Sequence, residues 1–134
     1  MIDSVKGQSY SNWELCLSDG SGNPSPLKDI LTKYENEDKR IKVIRNDSPL
    51  QISDNTNKAL ELVTGDWIAF MDHDDLLTPD AFYECVKAIN QNEDVDMIYT
   101  DEDKISMDGK TYFQPHFKSD FNIDMLRGTN YFVI

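Results

Sequence analysis

Four short apolar segments recur along the chain, and each is bounded by polar turn residues. They are "WELCL" (13–17), "IKVIR" (41–45), "WIAFM" (67–71) and "VDMIY" (95–99). All four are rich in β-branched and aromatic residues, a composition that is typical of β-strands. The pattern therefore predicts four strands.

Three segments between the strands place apolar residues three or four positions apart, which is the spacing of one helix face. They are residues 25–36, 52–65 and 78–90. Each has a boundary signal: Ser25 and Pro26 at the first start, Gly65 at the second end, and Thr78 with Pro79 at the third start. Strands that alternate with such helices predict an α/β fold, with a mostly parallel sheet covered by helices on both faces.

Acidic residues follow three of the predicted strands. Asp19 follows the first strand, residues 72–75 follow the third, and residues 101–103 follow the fourth. Because α/β sheets bind ligands beyond the carboxyl ends of their strands, these carboxylates are expected to converge at a binding edge.

The charge balance limits what this edge binds. With 13 Lys and Arg against 25 Asp and Glu, the net charge is −12, so the protein repels nucleic acid and anionic lipid. A phosphate-bearing ligand is therefore expected to arrive with a divalent cation. Cys16 and Cys85 fit no metal-ligand pattern and are expected to be small buried residues in a reducing cytoplasmic setting.

The strongest chemical signal is Asp72 and Asp74, one residue apart after the third predicted strand. Carboxylates in this position suit Mg²⁺ or Mn²⁺, whose remaining positions are filled by water and substrate phosphates. His73 lies between them and is interpreted as a spacer. The alternative is a solvated turn that initiates the next helix, to which Asp75 and Asp80 would belong.

Three blocks of the sequence resemble family 2 glycosyltransferases. They are "QSYSNWELCLSDGS", "RIKVIRNDSPLQISDNTNKALELVTGDWIAFMDHDDLLTPDAFYECVKAI" and "DMIYTDEDKISMDGKTYFQPHFKSDFNIDMLRGTNYF", in the family's order and spacing. The resemblance covers almost the whole chain. It implies the Rossmann-like nucleotide-diphospho-sugar transferase fold and an inverting, metal-dependent sugar transfer, which would be a step in bacterial surface polysaccharide synthesis.

The resemblance also implies roles for individual residues. Asp74 would ligate the metal that bridges the donor diphosphate, and Asp72 would lie toward the ribose or the metal. Asp19 would hydrogen-bond the donor base, with Ser18 where the family has a first acid. Asn57 falls on the helix that follows the phosphate-side loop, although Gln51 replaces the usual glycine of that loop.

On the sugar or acceptor side, the resemblance places Asp101 and Asp103, for which a solvated loop is an equal alternative. His116 receives no role. The implied donor is a UDP-sugar or a dTDP-sugar, and the implied acceptor is a saccharide or lipid-linked saccharide. The parent protein would be cytoplasmic or peripheral to the inner face of the plasma membrane.

Compared with the family, the sequence is expected to form one partial domain. Residues 1–103 would be the nucleotide-sugar and metal part, and the less regular residues 104–134 would begin the acceptor part. The family's first strand and its general base have no counterpart in residues 1–134, so we expect no turnover by this chain alone. Exposed sheet edges would then favour a homo-oligomer or pairing with another chain.

Parts of the sequence also suit two other classes of function. A phosphotransferase of the haloacid dehalogenase type also uses an Asp-x-Asp element, but that element follows the first strand and ends in Thr or Val, where Leu76 stands here. A non-catalytic domain that binds a nucleotide-sugar or a metal remains open. A calcium loop is excluded because neither acidic segment has the ligand spacing with a central glycine.

Overall fold

The computed structural model describes residues 1–129, 131 and 132. They form two compact units, which we call the sheet unit (Tyr10–Ala69) and the hairpin unit (Met1–Ser9 with the chain from Phe70 onward). The described elements are α1 (Ile2–Lys6), β1 (Leu15–Asp19), α2 (Lys28–Glu37), β2 (Ile41–Arg45), α3 (Ile52–Leu60), α4 (Ala81–Gln91), β3 (Glu102–Ile105), β4 (Tyr112–His116) and α5 (Ile123–Gly128).

The sheet unit is an α/β arrangement, which confirms the predicted class. β1 and β2 are parallel, with Leu15 opposite Ile41 and Asp19 opposite Arg45. Helix α2 packs on β2, and α3 packs on both strands. Ile41 of β2 and Leu31 of α2 are buried in this core. The pairing places the carboxyl ends of both strands at one edge, where Asp19 lies.

The predicted helices form, but their ends differ from the sequence signals. Helix α2 begins at Lys28, after Ser25 and Pro26. Helix α3 ends at Leu60 and does not extend to Gly65. After Leu60 the N–H groups of Leu62 and Val63 bond three residues back, to Ala59 and Leu60. Beyond them, the Glu14 carboxylate accepts the backbone N–H groups of Thr64 (2.5 Å) and Gly65 (3.2 Å), so these two groups do not continue the helix.

The predicted strands 67–71 and 95–99 are wrong for the part of the chain that the structure describes. Neither segment pairs with another strand there. Trp67, Ile68 and Phe70 are about half exposed. An apolar extended segment becomes a strand only when a neighbour accepts and donates the ladder hydrogen bonds, and no described segment does so for these two.

The hairpin unit contains regular structure that the sequence analysis did not predict after residue 104. β3 and β4 are antiparallel, with Glu102 opposite His116 and Ile105 opposite Tyr112. Their turn contains Gly109 at a φ of +70°. The Asp-Gly pair at 108–109 is a strong hairpin signal that was available in the sequence.

Helix α5 follows this hairpin and also lies in the segment expected to be irregular. Its N-cap is Asn122, whose side-chain oxygen accepts the N–H groups of Asp124 and Met125, both at 3.0 Å. Across the described residues, no helix is both long enough and apolar enough to cross a membrane.

Candidate metal and nucleotide site

Residues 72–75, which we call the acidic turn, lie in the hairpin unit. The N–H of Asp75 donates to the backbone oxygen of Asp72 at 3.3 Å and closes the turn. Asp72 and Asp74 are exposed. The side chain of His73 is 94% exposed, and its Nδ1 lies 4.0 Å from Asp74 Oδ1. The turn therefore presents two carboxylates and an imidazole to solvent.

Asp75 is the half-buried member of the acidic turn. Burial raises the pKa of Asp75, and the negative charges of Asp74, Asp72 and Glu102 raise it further. These four carboxyl groups are therefore close enough to repel one another. A bound cation would relieve this repulsion, because an opposite charge favours the ionised form of each carboxyl group.

The carboxylates of the acidic turn are the candidate ligands for the divalent cation that the sequence implies. Among the described residues, no three His, Cys, Asp or Glu side chains are grouped so as to hold a metal ion. Mg²⁺ is commonly held by one or two carboxylates together with substrate phosphates, so a complete protein cage is not required. The exposed carboxylates of Asp72 and Asp74 fit this second mode of binding.

Asp19 ends β1 in the sheet unit and is only 3% exposed. Its Oδ1 accepts the N–H of Ser21 at 3.0 Å, and its Oδ2 accepts the hydroxyl of Ser25. Burial alone raises the pKa of Asp19, but these hydrogen bonds and the charge of Arg45 outweigh burial and lower the pKa below its ordinary value. Asp19 is therefore an ionised carboxylate that orders the loop after β1.

A polar network beside Asp19 was not predicted from the sequence. Asn55 of α3 accepts the Ser18 hydroxyl at 2.7 Å and donates to the Ser18 backbone oxygen at 3.2 Å. Asn46 donates to Ser18 Oγ at 3.0 Å and to the Asp19 backbone oxygen at 2.9 Å. Asn57, the predicted donor-site residue of α3, is exposed. Its predicted role stays a prediction.

The second acidic segment surrounds β3. Asp101 Oδ1 accepts the backbone N–H of Lys118 at 2.8 Å, and Asp103 is exposed. Between them, Glu102 pairs with His116 Nδ1 at 3.0 Å and with Lys118 Nζ at 3.1 Å. His116 lowers the pKa of Glu102, and Lys118 lowers it further against the effect of burial. His116, which had no predicted role, thus pairs the two strands of the hairpin.

The predicted site residues divide between the two units. Asp19 and Asn57 lie in the sheet unit, whereas Asp72, Asp74, Asp101 and Asp103 lie in the hairpin unit. Only Asp19 lies at the end of a paired strand, because the segments before residues 72 and 101 carry no strand in the described structure. The expectation of three acidic strand ends is therefore confirmed at Asp19 alone.

Comparison with known proteins identifies the family. The family profile described as "Glycosyl transferase family 2" matches residues 1–133. The chain belongs to glycosyl transferase family 2. This membership decides against the haloacid dehalogenase alternative, and it agrees with the three sequence blocks that carried the resemblance.

Relatives with this sequence pattern are much longer proteins. An uncharacterized protein, y4gI, of Sinorhizobium fredii is 44% identical over 98% of this chain and 14% of its own length. The O-antigen biosynthesis protein RfbC of Myxococcus xanthus is 31% identical over 97% of this chain and 10% of its own length.

A third relative has a specific activity in its name. The UDP-Glc:alpha-D-GlcNAc-diphosphoundecaprenol beta-1,3-glucosyltransferase WfgD of Escherichia coli is 36% identical over 56% of this chain and 28% of its own length. The chain thus spans between a tenth and about a quarter of these three proteins. No solved structure matches the chain.

Proposed function

We propose that this chain binds a nucleotide-diphospho-sugar together with Mn²⁺ or Mg²⁺, as the donor-binding part of an inverting glycosyltransferase. The observation that carries the proposal is the acidic turn. There, exposed Asp72 and Asp74 flank His73, and their charges raise the pKa of the half-buried Asp75. Such a turn is poorly compensated alone and is stabilised when a cation binds.

In this proposal, Asp74 ligates the cation and Asp72 lies toward the cation or the donor ribose. When bound, the cation neutralises the donor diphosphate and stabilises the charge that develops on the leaving group. The carboxylates of Asp72 and Asp74 would hold the cation, since the carboxylates alone would repel the donor diphosphate. The acceptor oxygen attacks the anomeric carbon in line, the bond from that carbon to the diphosphate oxygen breaks, and the nucleoside diphosphate leaves. The proton of the acceptor hydroxyl passes to a general base, which we do not assign to any of residues 1–134.

Asp19 is proposed to accept a hydrogen bond from the donor base. Its lowered pKa keeps the carboxylate ionised, so it accepts hydrogen bonds and donates none. Uracil and thymine both carry an imide N–H that suits such an acceptor, which is why the proposed donor is a UDP-sugar or a dTDP-sugar. Asn57 is proposed to lie on the phosphate side of the same donor.

The acceptor is proposed to be a saccharide or a lipid-linked saccharide, with Asp101 and Asp103 on that side of the site. Support comes from the relatives' names, which include an O-antigen biosynthesis protein and a transferase acting on a diphosphoundecaprenol-linked sugar. The process would be surface polysaccharide synthesis at the cytoplasmic face of the membrane.

The test is a calorimetric titration of the chain with UDP, with and without Mn²⁺. Asp74→Asn is compared with Asp80→Asn, which removes one exposed carboxylate from the same unit. The proposal expects Mn²⁺-dependent binding that Asp74→Asn weakens at least about tenfold, a loss typical of a charged contact. Asp80→Asn should bind as the parent chain does. Equal binding by both variants, or none by a folded parent chain, rejects the proposal.

A further inference from the structure

We infer that Gln8 is a positioning residue for the acidic turn. The structural part of this inference stands by itself, and its effect on ligand binding rests on the proposed function. Gln8 follows the short helix α1 and is 7% exposed. A buried amide is costly unless its polar atoms are bonded. The partners of Gln8 therefore indicate what the side chain is for.

The side chain of Gln8 reaches a segment about seventy residues away. Its Nε2 donates to the Thr78 backbone oxygen at 2.6 Å and to the Ser4 backbone oxygen at 3.2 Å. Its Oε1 accepts the N–H of Phe82 at 2.9 Å. One amide thus bonds the backbone on both sides of the start of α4.

Gln8 replaces the cap that the sequence assigned to Thr78. Helix α4 begins at Ala81, and its N-cap residue Asp80 makes no side-chain capping bond. The first N–H groups of a helix have no intrahelical partner and need one from outside. Gln8 provides the partner for Phe82, so the N-terminal segment fixes where α4 begins.

Two neighbours of Gln8 bind the same stretch. Ser4 Oγ accepts the N–H of Leu77 at 3.3 Å, and the N–H of Ser9 donates to the Pro79 oxygen at 2.8 Å. Residues 4–9 therefore hold residues 77–82, which begin two positions after the acidic turn. Since residues 71–77 form neither helix nor strand, the placement of Asp72 and Asp74 depends on the bonds at this end.

The first test is hydrogen exchange across residues 71–79 in Gln8→Leu. We expect exchange there to accelerate about tenfold, the change in opening equilibrium that matches one lost buried hydrogen bond. Ile105→Ala in β3 is the matched control, since it removes half-buried apolar contacts from the same unit. Ile105→Ala should accelerate the exchange of residues 71–79 much less than Gln8→Leu does.

The second test is Mn²⁺-dependent UDP binding by the same variants. Gln8→Leu should weaken it about tenfold, and Ile105→Ala should leave it unchanged. If the parent chain binds no UDP, the proposed function fails, and hydrogen exchange alone decides the role of Gln8.

If Gln8→Leu does not fold, Gln8→Glu is the second variant, because it keeps the acceptor for Phe82 and loses the donor for Thr78. The inference is overturned if the amides of residues 71–79 exchange no faster in the Gln8 variant than they do in Ile105→Ala.

Discussion

Asn55 holds Ser18 through both ends of its amide, accepting the Ser18 hydroxyl at 2.7 Å and donating to the Ser18 backbone oxygen at 3.2 Å. This pair joins helix α3 to the end of β1, next to Asp19. It makes the loop after β1 part of the packed structure, although the sequence there reads only as a polar turn. The contribution of Asn55 is directly measurable.

Replacing Asn55 by alanine should lower the free energy of unfolding by about 1 to 3 kcal/mol, because it leaves half-buried polar groups of Ser18 without this partner. Urea denaturation of the chain measures the change. Asn57→Ala is the control on the same helix, and its exposed side chain predicts a change within about 0.5 kcal/mol. Equal losses for the two variants would contradict the role given to Asn55.

Gly20 has no room for a side chain unless the amide of Asn55 moves away from Ser18. A Cβ at Gly20 would lie 2.7 Å from Asn55 Oδ1 and 2.8 Å from its Cγ. We expect Gly20→Ala to destabilise the chain by about 1 to 3 kcal/mol through this clash. The measurement is again the denaturation midpoint.

Two comparisons test the cause of that loss. Gly128→Ala adds the same methyl group where nothing lies within 4 Å, so it should not create a clash. In a chain that already carries Asn55→Ala, Gly20→Ala should cost less than it does in the parent chain, since neighbouring substitutions couple. Fully additive losses would show that the clash with Asn55 is not the cause.

Apolar spacing predicted helices α2, α3 and α4 and strand β2, and β1 forms two residues later than expected. The β3–β4 hairpin and helix α5 were missed, although the Asp-Gly turn of the hairpin is a local signal. The same patterns wrongly predicted strands at 67–71 and 95–99, because pairing depends on distant residues. Asn55 was missed for a similar reason: Asn55 and Asn57 lie about 200° apart around α3, and packing decides which one faces β1.

The acidic turn was recognised from residue types and spacing alone, whereas the residues that support it were not. Nothing in the sequence around Gln8 indicates a bond to Phe82, because the two are separated by most of the chain. Such long-range contacts to backbone groups leave no periodic signal. The sequence therefore identifies Asp72 and Asp74 as candidate site residues, but it does not identify Gln8.

Glu14 should make stability depend on pH in acid. A hydrogen bond from Lys42 and one from the Thr64 backbone lower the pKa of Glu14 from 4.5 to about 2. Because the folded pKa is the lower one, the contribution is present above pH 4.5 and is lost as pH falls toward 2. We expect Glu14→Gln to lower the free energy of unfolding at pH 7 by about 1.5 kcal/mol.

Unfolding curves between pH 2 and 7 test this dependence. The difference between the parent chain and Glu14→Gln should shrink as the solution becomes more acidic. Glu61→Gln serves as the control, because Glu61 pairs with Lys58 in an exposed pair that is worth little. A difference that stays constant over the whole range would be inconsistent with the pairing of Glu14.

Asp75 should make stability depend on pH in the opposite direction to Glu14. Burial and the charges of Asp74, Asp72 and Glu102 raise the pKa of Asp75, so ionising it costs more in the folded chain than in the unfolded one. Stability is therefore lost as pH rises from the ordinary value of 3.8 through the raised one. Without divalent cations at pH 7, Asp75→Asn should be stabilising by up to about 1 kcal/mol.

Thermal unfolding in a chelating buffer measures the effect of Asp75→Asn, with Asp80→Asn as the variant that removes a carboxylate elsewhere in the hairpin unit. Asp75→Asn should raise the midpoint by more than Asp80→Asn does. A lower midpoint for Asp75→Asn would mean that repulsion within the acidic turn does not raise the pKa of this carboxyl group.

The central claim is that a divalent cation and a nucleoside diphosphate bind together at the acidic turn. The most direct measurement is a titration of the ¹⁵N-labelled chain with Mn²⁺ in the presence of UDP, following paramagnetic broadening of each amide signal. The account predicts that the amides of residues 72–75 broaden at the lowest Mn²⁺ concentration, and that omitting UDP weakens the effect. Broadening centred first on the acidic residues Glu93 and Asp94, or independent of UDP, would contradict it.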